Sequence, residues 1–177
     1  MRKLTLLIIS IGLLLIGCSS DKTPGNLEGK TKAPNFSLPD FYGNTFQLGD
    51  CSGKVIVLNF WATWCQPCLK EIPSFVKLRE KFPEKSLQII GINLDTKLDV
   101  GKMKNFIQRY EINYPILMGQ ADPSILKKYG NIRSIPTTFF IDQEGYIRYK
   151  LIGFQTYSAL EAILTKLLDE EREIAKR

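Results

Sequence analysis

Unbroken apolar runs alternate along this chain with segments whose apolar residues recur at helical spacing, and that pattern predicts most of its elements. Val55-Ile56-Val57-Leu58-Asn59-Phe60-Trp61 is apolar at every position but one and rich in β-branched residues, which predicts a strand covered on both faces. Leu87-Gln88-Ile89-Ile90-Gly91-Ile92-Asn93 predicts a second buried strand. Between them Leu69, Ile72, Phe75 and Val76 fall at helical spacing, which predicts a helix over 65–82, kinked by Pro73. Strand, helix and strand in that order predict a parallel pair joined by a crossover.

Shorter signals surround this unit. Phe36-Ser37-Leu38-Pro39 and Thr45-Phe46-Gln47-Leu48 flank a turn at Tyr42-Gly43-Asn44, which predicts a hairpin. Residues 100–110 and 123–129 read as helices and 115–118 as a short strand. Thr137-Thr138-Phe139-Phe140-Ile141, the turn Asp142-Gln143-Glu144-Gly145 and Tyr146–Ile152 predict a second hairpin. Leu160, Ile163, Leu164, Leu167 and Leu168 share one helical face, so a helix over about 157–173 closes the domain. The expected class is α/β, and no repeat or low-complexity segment appears.

The N-terminus carries a different pattern. Arg2 and Lys3 precede an almost wholly apolar run, Leu4 to Ile16, which is too short for a membrane span of about 20 residues and reads as an export signal. Residues 19–32 are polar, hold Pro24, Gly25 and Gly29 and lack apolar periodicity, which predicts a flexible tether reaching roughly 20 Å. The expected organisation is a signal peptide over 1–17, Cys18 and a tether over 18–32, and one domain over 33–177. Removing Arg2 and Lys3 lowers the formal charge from +6 to +4, and the remaining cations are scattered. That excludes a nucleic-acid-binding stripe and a basic membrane-binding helix from the expectation.

Trp64-Cys65-Gln66-Pro67-Cys68 sits where the first buried strand gives way to its helix. Unpaired N–H groups and the positive end of the helix dipole stabilise an anion there, and the thiolate is the reactive form of cysteine. Cys65 is expected to stand exposed as the attacking thiolate. Cys68, one turn further in, is placed to resolve the mixed disulfide. Pro67 suits a first-turn position, where its missing N–H is not needed. A zinc site would need more Cys or His ligands, but the chain has no His, and Cys18 and Cys51 lack the spacing. A permanent structural disulfide is the other reading of the pair.

Taken together these residues resemble a thioredoxin-fold protein, and more narrowly the TlpA/ResA type of membrane-anchored thiol-disulfide oxidoreductase. The resemblance covers roughly residues 33–170. It is carried by Ala33-Pro34-Asn35-Phe36, Gly53-Lys54-Val55, Asn59-Phe60-Trp61-Ala62-Thr63-Trp64-Cys65-Gln66-Pro67-Cys68, Glu71, Pro73, and the run from Tyr129 to Asp142. It implies a central mixed sheet flanked by helices, with an N-terminal β-hairpin and a central α/β insertion. Ile135-Pro136-Thr137 matches the family's cis-proline loop, which packs against the two cysteines and leaves the Ile135 backbone free to pair with an extended substrate. Trp64, Ile135 and Pro136 are then the substrate-binding residues. Glu71 matches a family glutamate near the active site; the plainer alternative is a solvated acid favouring the helix dipole.

Leu15-Ile16-Gly17-Cys18 resembles the lipobox of bacterial lipoproteins, implying cleavage before Cys18 and a diacylglycerol on its sulfur; an uncleaved signal anchor is the alternative. Either way the domain lies outside the cytoplasm, tethered to a membrane. The implied function is reduction of disulfides in exported proteins, with apocytochrome c cysteines as a suggested substrate. The oxidised pair is reset by a membrane thiol carrier of the CcdA/DsbD type, and no cofactor is required. A disulfide oxidase or isomerase would use the same motif; no large helical insertion of the kind strong oxidants carry is visible. A thiol peroxidase would place Thr63 before a single peroxidatic cysteine, which the resolving Cys68 and Trp64 argue against. Gln66 stands where ResA-like members often carry an acid, so the potential should be slightly higher. Cys51, in the loop before Gly53, is expected to be incidental.

Overall fold

The computed structural model describes residues 26–97 and 99–175, and the expected signal peptide over 1–17, Cys18 and the first part of the expected tether lie outside them. In chain order the elements are β1 (Asn26–Lys32), β2 (Ser37–Pro39), β3 (Thr45–Gln47), β4 (Val55–Trp61), α1 (Gln66–Lys81), β5 (Leu87–Asn93) and α2 (Val100–Arg109). They continue with β6 (Ile116–Met118), α3 (Ser124–Lys128), β7 (Thr137–Ile141), β8 (Tyr146–Ile152) and α4 (Tyr157–Ala175).

Six strands form one mixed sheet in the order β1-β8-β7-β4-β5-β6. β4, β5 and β6 run parallel, with Val55 opposite Leu87 and Trp61 opposite Asn93. β7, β8 and β1 add on antiparallel, and β2 pairs with β3 in a separate hairpin. β4 is buried at every position because its two faces feed two cores. Val55, Val57 and Trp61 face α1 and α4, packing with Ile72, Phe75, Leu160 and Leu164. Ile56, Leu58 and Phe60 face the β2–β3 hairpin and α3, packing with Leu38, Ile125 and Tyr129. Each fully buried side chain of this size is worth about 1.5–3 kcal/mol. The rigid β4 end is therefore what presents the cysteines. Among the described residues no helix is long and apolar enough to cross a membrane.

One expectation changes. The polar stretch expected as the end of a tether is β1 over Asn26–Lys32, pairing with β8 through an irregular register. Its strand geometry comes from the open backbone edge of β8 and not from its own apolar pattern, which is why periodicity missed it. α1 spans Gln66–Lys81 with Pro73 inside it, one residue shorter at each end than the spacing predicts.

Candidate active site

β4 ends at Trp61, whose carbonyl accepts from Leu94 N at 2.9 Å. The chain then turns sharply, with Cys65 N donating to Ala62 O at 3.2 Å. Cys65 is the N-cap of α1, and its Sγ accepts from the Cys68 backbone N–H at 3.3 Å. An N-cap acceptor satisfies one of the orphan donors of the first helical turn, and here that acceptor is the Cys65 sulfur. Cys65 and Cys68 are joined, with S–S 2.07 Å and Cα–Cα 5.2 Å. Cys65 is only 5% exposed in this state, so the expected exposed thiol is instead a sheltered sulfur; the exposed neighbour is Trp64, at 69%. The shelter comes from the loop before β7, because Cys65 Sγ lies 3.7 Å from the carbonyl oxygen of Ile135. The Ile135–Pro136 bond is cis, as the resemblance implies, and Pro136 is buried. Trp64, Ile135 and Pro136 are therefore brought together around the disulfide.

Glu71 is not a solvated acid. One helical turn after Cys68 it is fully buried, accepting from Gln155 N at 3.0 Å and Asn59 Nδ2 at 3.3 Å. Asn59 also donates to Thr138 Oγ1 at 2.9 Å, so one polar chain links β7, β4, α1 and the β8–α4 loop. Burial pushes the Glu71 carboxyl up to about 7, and the two hydrogen bonds oppose that only in part. The Tyr114 hydroxyl faces the same region and is raised by its own burial first and by the Glu71 charge second. A group that titrates near neutrality one helical turn from Cys68 can take and return a proton. Asn59 had a signal in the sequence: it is the one polar residue in an otherwise apolar strand.

A second polar cluster was not foreseen. Both carboxylate oxygens of buried Asp95 accept from Thr63 N, at 3.2 and 3.3 Å, and Asp95 Oδ2 accepts from Asn93 Nδ2 at 2.8 Å. It ties the β5 end to the loop that carries the motif. Cys51 is buried in the second core, and burial raises its thiol above the ordinary range, which makes it unreactive. Among the described residues no group of His, Cys, Asp and Glu is arranged to hold a metal ion.

Comparison with known proteins agrees with this geometry. The AhpC/TSA family model matches residues 30–150. Thiol-disulfide oxidoreductase ResA of Bacillus thuringiensis (strain Al Hakam) is 38% identical, over 94% of each chain. The protein of the same name from Bacillus subtilis (strain 168) is 34% identical, covering 90% of this chain and 92% of that one. Among solved structures, a thiol:disulfide interchange protein of the thioredoxin family from Chlorobium tepidum superposes with a TM-score of 0.70 at 30% identity. That match covers 79% of this chain and 97% of the other.

Proposed function

The chain belongs to the AhpC/TSA family, among its ResA-like thiol-disulfide oxidoreductases of thioredoxin fold, and from that premise we propose that it reduces disulfides in exported proteins from a membrane-anchored position. The observation that carries the reading is the Cys65–Cys68 disulfide at the N-terminus of α1, backed by the buried Glu71 carboxyl.

The cycle starts from the dithiol. Cys65 Sγ, as thiolate, attacks one sulfur of the substrate disulfide; that S–S bond breaks and the departing substrate thiolate takes a proton. Glu71, ionised, accepts the proton of Cys68, whose thiolate attacks Cys65 Sγ. The mixed disulfide breaks, the second substrate thiolate leaves, and two electrons have passed from the pair to the substrate. The docking edge in this reading is the cis-Pro136 loop, where the Ile135 backbone would pair with an extended substrate segment and exposed Trp64 stands beside it. A membrane thiol donor of the CcdA/DsbD type returns the two electrons. Leu15-Ile16-Gly17-Cys18 supports anchoring through a lipid on Cys18, outside the cytoplasm. Apocytochrome c, with its paired cysteines, is the substrate class this reading favours.

Trapping tests it. In a Cys68→Ser variant the mixed disulfide on Cys65 cannot resolve, so non-reducing electrophoresis and mass spectrometry should recover substrate joined to Cys65. Recovery of no Cys65 adduct, or equal recovery from Cys65→Ser, overturns the mechanism.

A further inference from the structure

The disulfide and the N-terminal end of β1 belong to the same pole of the domain. β8 ends at Ile152, opposite Thr137, and the next residue, Gly153, donates to Pro136 O at 2.8 Å. β1 runs antiparallel to β8, with Lys32 opposite Tyr146 and Asn26 opposite Tyr149. The start of β1 therefore points towards the disulfide pole, three residues, or about 10 Å, short of the Ile152 level.

Chain length limits where an anchor on Cys18 could lie. Eight residue steps separate Cys18 from Asn26, and eight steps span at most about 28 Å however they are arranged. A domain of this size has a radius of gyration of about 15 Å, hence a diameter of about 38 Å. The reach is shorter than the domain is wide, and it is measured from the strand end that points to the disulfide pole.

That pole is also where exposed apolar side chains gather. Among the described residues five large apolar side chains stand exposed: Trp64, Val100, Ile152, Phe154 and, elsewhere on the β2–β3 turn, Tyr42. Trp64 precedes Cys65, and Ile152 and Phe154 flank the Gly153 that bonds Pro136. Val100 opens α2, whose first turn borders a depression of about 190 Å³ lined by Thr63, Lys97 and Lys102. Asp95 and Asp99 line the same depression, accepting from Thr63 N and Lys102 N, so its two lysines are balanced by two acids.

We propose that this pole rests on the surface of the bilayer that holds the Cys18 lipid, with Trp64 and Phe154 at headgroup level. The inference rests on the reading of Cys18 as lipidated. Tryptophan favours the membrane interface. Four apolar side chains make a shallow, reversible contact. It holds the disulfide within reach of membrane-embedded thiols and releases it to exported substrates when it lifts.

The test uses the full-length lipidated protein in phosphatidylcholine–phosphatidylglycerol vesicles with brominated acyl chains. The chain has two tryptophans, so a Trp64→Phe variant isolates the signal of buried Trp61. The expected result is that bromine quenches Trp64 several-fold more than Trp61. A 20-residue Gly-Ser insertion between Cys18 and Asn26 should relieve that quenching without changing reduction of a soluble disulfide. No differential quenching, or quenching indifferent to the insertion, overturns the proposal. So does protection of Trp64 that appears only when membrane proteins are reconstituted alongside, which would assign the pole to a protein partner. The mass of the Cys18 peptide separates the two levels: lipid present without quenching sinks this inference alone, whereas no lipid sinks the anchoring as well.

Discussion

At the scale of single residues, Glu71 carries the sharpest consequence. Its carboxyl is lifted by burial from 4.5 to about 7, so the folded state holds a proton that the unfolded chain has lost. Between those two values stability falls as pH rises, by about 3 kcal/mol in total, and the loss is complete above about pH 7. Glu71→Gln keeps an acceptor for Gln155 N but cannot ionise. Chemical denaturation of the two proteins should give similar stabilities near pH 4.5, with the variant more stable at pH 8 by up to about 3 kcal/mol. The same variant should slow resolution of the mixed disulfide by roughly 10²-fold and flatten its pH profile around 7, since that is what a missing proton acceptor costs. A variant with unchanged pH dependence in both measurements would make Glu71 a structural group only. Asp95, by contrast, acts on geometry: it holds Thr63 N and so fixes where the motif begins.

At the scale of elements, the β4–β5 pair is the platform, and its tolerance is low. A Cβ on Gly91 would lie 2.8 Å from Ile116 Cδ1 and 2.9 Å from Trp61 Nε1, with no free space on either side. Gly91→Ala should therefore destabilise the fold by about 1–3 kcal/mol, the usual cost of overpacking, and thermal denaturation would read it directly. Retained stability would mean that β6 can shift away from β5. These buried strands were legible in the sequence because a strand covered on both faces is mostly apolar, and Val55–Trp61 and Leu87–Asn93 are so but for Asn59, Gln88 and Asn93. The motif and its helix were equally legible, because residue spacing alone places Cys68 and Glu71 one turn apart on α1. What spacing could not reveal was depth. Glu71 is buried because the β8–α4 loop brings Gln155 N over it, a contact 84 residues away in sequence. Cys65 is sheltered because Ile135 O, 70 residues away, covers it. β1 was illegible for the opposite reason: Asn26–Lys32 has no apolar face, and only the unpaired edge of β8 gives it strand geometry.

At the scale of the whole molecule, the sheet gathers three things at one pole: the N-cap sulfur of Cys65, the cis-Pro136 loop and the start of the chain's path from Cys18. The fold positions this redox pair, but the direction in which it works depends on the relative stability of dithiol and disulfide. The helix N-terminus favours the Cys65 thiolate and hence the reduced state, and a neutral Gln66 adds slightly to that. Against it, the disulfide is well packed and close to a carboxyl that, once ionised, opposes a second negative charge on Cys68. A reductase requires the second tendency to prevail. The measurement that tests this most directly is the midpoint potential of the Cys65/Cys68 couple at pH 7, titrated against defined thiol buffers with the full-length protein. The account predicts a value near or below that of thioredoxin, about −270 mV. A value near that of DsbA, about −120 mV, would contradict it and make this protein a source of disulfides.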